Sequence, residues 1–161
     1  IEAIYVPSDD ILDQGVNAIF PYLDSTVVLS RSVYQEGKLP AIDILSSSSS
    51  GLNPDIVGSF HYETALAAQS LLKQAVALER IVALVGESEL SSEDQRIYKR
   101  AAKLRNFMTQ NFFVAEEQTG KNGTYVPVKI TVQDVHDVVT GKYDEVTEEK
   151  FLSIGSAKEA V

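Results

Sequence analysis

Few side chains in this sequence have the types and spacing that catalysis requires. Asp9 and Asp10 are adjacent carboxylates after Pro7, and such a pair suits either a hard divalent cation or a polar turn, the turn being the simpler interpretation. His61 and His136 are the only two histidines and cysteine is absent, so neither a histidine-based zinc site nor thiolate chemistry is expected. The sequence contains no G-x-x-x-x-G-K-[ST] phosphate loop and no G-x-S-x-G elbow. We therefore predict no self-sufficient catalytic constellation in this sequence.

Basic residues concentrate in one short segment, where five of the 14 lysines and arginines lie between Arg96 and Arg105. Such a density suits an anion site. The same predicted helix carries Glu93 and Asp94 in its first turn, and acids first with bases last complement the helix dipole. We therefore favour a solvated helix face over an anion site.

The composition narrows the class of protein. The 161 residues are 44% hydrophobic and 23% charged, as in a soluble globular domain. The net charge of −9 argues against a nucleic-acid partner, because phosphate contacts need a basic surface. No apolar run reaches the roughly 18 residues that span a bilayer, so direct membrane insertion is not expected. The only methionine is Met108 and the chain begins at Ile1 inside a predicted strand, so we expect a piece of a longer protein.

Short apolar segments dominate the first 45 residues. Residues 1–6, 24–29 and 40–45 are rich in β-forming side chains. The crossover helices of a parallel sheet are not visible between them, so we predict the tail of a sheet whose other strands lie upstream. The five serines at 46–50 then predict a flexible linker and the clearest boundary in the chain.

After the serines, the apolar pattern becomes helical. A broad apolar face runs along a predicted helix that ends at Gly86, and Ser91 opens a second helix as its cap. A third helix closes near Gly141, and Thr147 begins a short fourth one. The residues that define these faces are Ala65, Ala68, Leu71, Leu72, Ala75, Val76 and Leu78, then Ile97, Ala101, Leu104 and Met108, then Val132, Val135 and Val139, and finally Phe151 and Ile154. The sequence therefore predicts a sheet remnant joined to a helical bundle.

Several segments, in order and without evident gaps, resemble the catalytic β subunit of F-type ATP synthases. They are YVPSDD at 5–10, LDSTVVLSR at 23–31, PAID at 40–43, IVG at 56–58, HYE at 61–63, SELSSED at 88–94 and FFVAEEQTG at 112–120. Related rotary and secretion ATPases share the first of these segments. The HYE segment and the likeness of SELSSED to the family's DELSEED motif point to the β subunit.

The resemblance implies a fold class and a domain division. Residues 1–55 would be an α/β remnant, the end of a P-loop NTPase nucleotide-binding domain, followed by an all-α C-terminal helical bundle at 56–161. The phosphate loop, the Mg-ligating Asp and the catalytic Glu of the family would lie upstream. The intact subunit would bind ATP or ADP with Mg in a hexameric ring with α-type subunits around a γ-type central stalk. It would sit on the soluble side of a membrane-associated complex, facing the cytoplasm in bacteria or the matrix or stroma in an organelle.

Positions that match the family's adenine pocket are implied by the same resemblance. Phe112, Ala115 and Thr119 match residues that line it, and an aromatic face with small neighbours suits a purine. Leu39 stands where the family has an adenine-stacking Tyr, and Gln118 where it has a second Phe. Losing two aromatic faces is expected to weaken base binding by about 1–2 kcal/mol.

Two further roles concern the central stalk. Asp9, Asp10 and Asp13 match an acidic loop that meets basic residues of the γ subunit, although Leu12 replaces a family Thr. The lever segment, defined as residues 88–94, matches the part that pushes on the stalk when nucleotide closes the subunit. It comprises Ser88, Glu89, Leu90, Ser91, Ser92, Glu93 and Asp94, and Ser88 and Ser92 replace two family acids.

The departures from the family pattern cluster in two places. The family's DPLDSTSR becomes DILSSSSS at 43–50, and its FLSQPF becomes FMTQNF at 107–112, preceded by Asn106 where the family has Arg. These changes indicate a divergent β-like paralogue. A non-catalytic, structural member of such a ring is the alternative, and a free-standing helical interaction module is a third interpretation.

Overall fold

A computed structural model describes residues 1–6, 10 and 13–161. A small strand-and-turn region precedes a bundle of three main helices. In chain order the elements are α1 (Gln14–Ile19), β1 (Ser25–Thr26), α2 (Arg31–Gln35), β2 (Ser48–Ser49), α3 (Pro54–Val57), α4 (Ser59–Val85), α5 (Ser92–Phe107), α6 (Glu116–Thr119) and α7 (Val128–Val139). Short 3₁₀ helices cover Phe20–Tyr22, Glu87–Glu89, Phe113–Ala115, Glu148–Phe151 and Ala157–Ala160. The fold is thus a small strand-and-turn region followed by a mostly helical domain, as the sequence predicts.

Ser48 and Ser49 of the serine run form a strand of the sheet, so the prediction of a flexible linker at 46–50 was wrong. β1 and β2 pair antiparallel, with Ser25 opposite Ser49 and Thr26 opposite Ser48. The hydroxyl oxygens of these two pairs lie 2.7 and 2.9 Å apart. Serine side chains that look like linker composition here add a second row of hydrogen bonds beside the backbone ladder.

The predicted strands are shorter than the sequence suggests. Residues 1–6 have no regular secondary structure, since no described strand pairs with them. Of the predicted 24–29 strand, only two residues form β1, and a single antiparallel bridge joins Leu29 to Ile42. The predicted domain division at 55/56 falls inside α3, which begins with Pro54.

The longest helix, α4, confirms the predicted apolar face and rotates it slightly. Its buried residues are Thr64, Ala68, Leu71, Leu72, Ala75 and Leu78, whereas Val76 is 38% exposed. The face that packs on the bundle therefore centres on Leu71, Leu72 and Ala75. Gly86, with φ of 92°, ends the helix.

The predicted start of the second bundle helix and the predicted end of the third are confirmed. Ser91 caps α5, because its Oγ accepts the amide hydrogen of Asp94 at 3.1 Å and donates to the Asp94 carboxylate at 2.7 Å. The helix α7 ends just before Gly141, where φ is 91°. The predicted fourth helix is the 3₁₀ turn Glu148–Phe151.

The core lies between α4, α5, α7 and the C-terminal tail, which we define as residues 148–161. Leu104 and Phe151 are completely buried, and Val138 is 1% exposed. Asp134 of α7 is also 1% exposed, and its Oδ2 accepts hydrogen bonds from the Ser156 hydroxyl (2.7 Å) and the Ala157 amide (3.0 Å). A buried carboxylate thus fixes the tail to the bundle, with both of its partners supplied by the tail.

The basic segment of α5 is largely paired with acids and carbonyls, so it is only in part the solvated face that the sequence predicts. Arg100 Nε donates to Asp144 Oδ1 at 2.7 Å, and Arg105 pairs with Glu79. Lys103 is only 2% exposed, contrary to the expectation of a solvated face, and its amino group donates to the carbonyls of Tyr143 and Asp144 at 2.8 Å each. Burial lowers the pKa of Lys103.

The Arg100–Asp144 pair predicts an acid-sensitive contribution to stability. The hydrogen bond from Arg100 holds the pKa of Asp144 below its usual value. Because the folded-state pKa is the lower one, the stabilisation is present above the unfolded value of about 3.9 and is lost as pH falls through the folded value. We expect Asp144→Asn to cost up to about 1 kcal/mol at neutral pH and progressively less as the medium is acidified.

Urea unfolding at a series of pH values checks this, with the exposed Glu149→Gln as the matched charge control. A constant difference between wild type and Asp144→Asn down to strong acid would contradict the assignment.

In the part of the chain that the structure describes, none of the helices has the length and apolar character needed to cross a bilayer.

Candidate functional site

A backbone hydrogen bond joins the strand-and-turn region to the helical bundle. The amide of Gln110 donates to the carbonyl of Leu39 at 2.9 Å, and Leu39 lies in the segment that follows α2. Phe112 comes two residues after Gln110. The structure thus brings two predicted site segments, those of Leu39 and Phe112, to one place although 73 positions separate them along the chain.

The contact segment, defined as residues 112–119, is a 3₁₀ turn followed by the single-turn helix α6. Thr119 Oγ1 donates to the carbonyl of Ala115 at 2.9 Å, which holds the two predicted residues together. The turn ends at Gly120 in the left-handed region, with φ of 66°. Gln118 is exposed on the outer side of α6.

Apolar surface is exposed at this segment. Phe112 is 44% exposed and Leu39 is 42% exposed. Ala115 is half-buried, while Gln118 and Thr119 are exposed. A partly exposed aromatic ring beside small and polar side chains can accept a flat ring on its face.

The loop after the contact segment folds back on it and fixes its path. The amide of Gly123 donates to Glu116 Oε1 at 2.7 Å, and the Gln110 side-chain amide donates to the carbonyl of Thr124. A Cβ at Gly123 would lie 2.5 Å from the backbone nitrogen of Phe113, so only glycine permits this close approach.

Two of the three predicted stalk residues, Asp10 and Asp13, lie just before α1. Asp10 and Asp13 are exposed, and Asp13 Oδ1 accepts from the amides of Gly15 (2.8 Å) and Val16 (3.4 Å) as the helix cap. Asp9 and Leu12 lie outside the described residues. Asp13 therefore has a structural role in addition to the charge that it offers.

The lever segment is the connection between the two longest helices. After Gly86, the 3₁₀ turn Glu87–Glu89 leads to Leu90, which is 7% exposed and fixes the turn to the bundle. The side-chain amide of Gln95 donates to the carbonyl of Leu90 at 3.0 Å. The remaining lever side chains are exposed or half-buried: Ser88, Glu89, Ser91, Ser92 and Glu93 are exposed and Asp94 is half-buried. The segment is a turn leading into α5, and most of its polar side chains are exposed.

A cavity of about 320 Å³ lies beside the lever turn. It is lined by Glu87, Lys99, Lys103, Asp144, Glu145, Val146, Thr147 and Glu148. Lys99 lies 3.6 Å from Glu87 and Lys103 donates to nearby carbonyls, so the acids of this cavity have basic neighbours. Within the described ranges no group of three or more acids, histidines or cysteines is placed to hold a metal ion.

Two family models cover most of the chain. Residues 50–149 match the C-terminal domain of V and A type ATP synthase, and residues 1–49 match the nucleotide-binding domain of the ATP synthase alpha/beta family. The chain belongs to the ATP synthase family. The contact segment lies in the first of these matches and Leu39 in the second, so the Gln110–Leu39 hydrogen bond joins the two family regions.

One solved structure with this fold is described as a unique ATP synthase subunit, NeqB, from Nanoarcheaum equitans. It is 20% identical to this ATP synthase chain with a TM-score of 0.71, and the similarity covers 84% of this chain and 33% of that chain. At this identity the likeness concerns the fold alone. The chain spans about one third of that subunit's length.

Three polar residues beside the contact segment have a role that the sequence did not reveal. In the sequence of this ATP synthase family member, these residues are noticeable only as departures from the family pattern. Thr109 and Asn111 lie within the FMTQNF segment and Asn106 lies just before it. In the structure all three bond to the C-terminal tail. The sequence does show side chains that can form hydrogen bonds at the end of a helix. It does not indicate their partners, which lie more than 40 positions away and follow no local pattern.

Proposed function

We propose that this chain is the C-terminal part of a β-like subunit of a rotary ATP synthase of the F type or a close paralogue. Residues 1–55 would end the nucleotide-binding domain and residues 56–161 would form the helical domain. The chain would supply contacts to the adenine of ATP or ADP and a lever that transmits closure to a central stalk. The phosphate loop and the Mg ligands would lie upstream, and the subunit would work in a ring on the membrane-peripheral side of the complex.

The observation that carries this proposal is the Gln110–Leu39 hydrogen bond beside the exposed ring of Phe112. This bond joins the two family regions two residues before Phe112. A base bound on the Phe112 ring would lie near both regions. Leu39 adds apolar surface and Gln118 adds a polar edge in place of aromatic faces. A base would therefore stack on one ring, with weaker dispersion contacts from the other side.

Replacing Phe112 with Ala tests this proposal. We expect the Kd for MgADP of the full-length subunit in its assembly to rise about two- to tenfold, since an aromatic contact is worth roughly 0.5–1.5 kcal/mol. Phe112→Tyr keeps the ring and is expected to bind as the wild type does. Calorimetric titration measures both variants. Unchanged affinity in Phe112→Ala would reject the adenine contact.

The mechanical part of the proposal is supported by the placement of the acidic residues. Glu89 and Glu93 are exposed on the lever turn, and Asp10 and Asp13 are exposed near α1. Exposed carboxylates suit a basic partner surface that must slide rather than bind tightly, because such pairs direct orientation more than affinity. A γ-type stalk in a ring with α-type subunits is the partner that we propose.

A non-catalytic structural subunit is the second candidate, and Leu39 and Gln118 favour it. The same titration separates the two: micromolar MgADP binding with ATP turnover in the assembly excludes the structural role, whereas no binding supports it.

A further inference from the structure

The connection from α5 to the contact segment is fixed to the C-terminal tail by three side chains. Asn106 Nδ2 donates to the carbonyl of Glu148 at 2.8 Å. Thr109 Oγ1 accepts from the amide of Ser153 at 2.7 Å, and Asn111 Nδ2 donates to the carbonyl of the same serine at 3.0 Å. We name Asn106, Thr109 and Asn111 the tail clamp.

The clamp holds a residue in a rarely populated conformation. Ser153 has φ of 58°, and it is the one described non-glycine residue with a positive φ. A left-handed serine costs roughly 1–2 kcal/mol and persists only where its surroundings fix it. Here both of its peptide groups are held, the amide by Thr109 and the carbonyl by Asn111. The tail clamp therefore fixes one particular backbone conformation of Ser153, which a general loop contact would not do.

Along residues 109–111, contacts to the tail alternate with contacts to the strand-and-turn region and to the loop after the contact segment. Between Thr109 and Asn111, which face the tail, Gln110 bonds to Leu39 through its backbone and to Thr124 through its side chain. The carbonyl of Asn111 in turn accepts from the amide of Thr124 at 3.1 Å. Three consecutive residues thus link the tail, the loop and the strand-and-turn region, immediately before Phe112.

We propose that the tail clamp positions Phe112 for the nucleotide base, which makes Thr109 and Asn111 positioning residues of the site; this inference rests on the proposed function. Thr109 is 2% exposed and donates its own hydroxyl hydrogen to the carbonyl of Asn106, so its oxygen lies at a fixed place. A shift of about 1 Å in a positioning group is enough to impair the chemistry or binding that depends on it. Loss of the clamp frees the stretch that carries Gln110 and Phe112, whereas the helices keep their own core.

The test compares Thr109→Val, which removes the hydroxyl, with Thr109→Ser, which keeps it, in the full-length subunit within its assembly. Thr147→Val is the matched control, because Thr147 is exposed and its side chain caps nothing. We expect Thr109→Val to raise the Kd for MgADP about fivefold and to speed amide exchange at residues 112–119 about tenfold or more. Exchange in α7 and the values for Thr109→Ser and Thr147→Val are expected to match the wild type.

Two outcomes overturn the inference. One is unchanged exchange at 112–119 in Thr109→Val, and the other is an equal rise in α7, which would show a purely global loss of structure. Should Thr109→Val not fold, Asn111→Asp replaces it, since the change is isosteric but sets a carboxylate against the Ser153 carbonyl.

The proposed function and the clamp fail in different ways. If the wild-type assembly binds no MgADP, the adenine contact is rejected. The exchange measurement then decides alone whether the clamp orders the contact segment: faster exchange confined to 112–119 supports it, and unchanged exchange rejects it.

Discussion

Replacing Phe151 with Ala is expected to lower the free energy of unfolding by about 3–5 kcal/mol, the usual cost of truncating a fully buried aromatic residue. Phe151 is completely buried, and its ring meets Tyr143 edge to face, with centroids 5.6 Å apart and planes at 72°. Removing the ring leaves a cavity between α5 and the tail. The cavity cannot close because hydrogen bonds hold α5 and the tail in place.

Equilibrium urea unfolding of the full-length protein measures this loss, with the transition followed in the helical domain. Leu152→Ala is the control, since its side chain is the next along the chain and is 44% exposed. We expect it to cost about 0.5 kcal/mol or less. Similar losses in the two variants would contradict the placement of Phe151 in the core.

The large effect expected at Phe151 has a consequence for the candidate site. Phe151 lies between Glu148 and Ser153, the two tail residues that the clamp holds. Without the Phe151 ring the tail is packed less firmly, so Glu148 and Ser153, the partners of the clamp, become more mobile. Core packing and the position of the contact segment are therefore linked through a few residues of main chain.

The helices of this protein were predictable because their signals are local. The apolar rows of α4, the cap at Ser91 and the end of α7 before Gly141 depend on residues within one or two turns. The burial of Lys103 was not predictable, because the carbonyls that accept hydrogen bonds from its amino group are 40 and 41 positions away. A basic residue on a helix normally remains in solvent.

The same reasoning explains the serine run and the site. Ser48 and Ser49 look like a linker until the partner strand more than 20 positions upstream supplies matching hydroxyls. Resemblance to a family identified Leu39 and Phe112, but neither composition nor periodicity places them together. The backbone bond from Gln110 to Leu39 joins their segments across 71 positions, and no local pattern in the sequence indicates it.

Replacing Gly86 with Ala is expected to cost about 1–3 kcal/mol, and the cost comes from the backbone alone. Gly86 has φ of 92° and ψ of 159°, a region that is essentially restricted to glycine. A Cβ there would approach nothing closer than Ser88 Oγ at 3.9 Å, so no steric clash contributes. The chain must either bear the strain or turn differently between α4 and the lever segment.

Gly120→Ala provides the comparison, because Gly120 also has open space around it but occupies the milder left-handed region, with φ of 66° and ψ of 14°. We expect it to cost about 1 kcal/mol. Urea unfolding measures the stability of both variants, and amide exchange at Leu90 and Gln95 reports the turn itself. Wild-type stability and exchange in Gly86→Ala would show that this backbone conformation is not required.

The two variants also separate the two proposed activities. Gly86 sets the direction in which the lever leaves α4, and the contact segment is fixed independently by Gln110 and the tail clamp. In the assembly we therefore expect Gly86→Ala to reduce the torque or rotation obtained for each ATP hydrolysed while the Kd for MgADP stays at the wild-type value. Gly120→Ala is expected to act the other way, weakening nucleotide binding with the coupling preserved. Parallel losses of affinity and coupling in Gly86→Ala would mean that lever and contact segment move as one body.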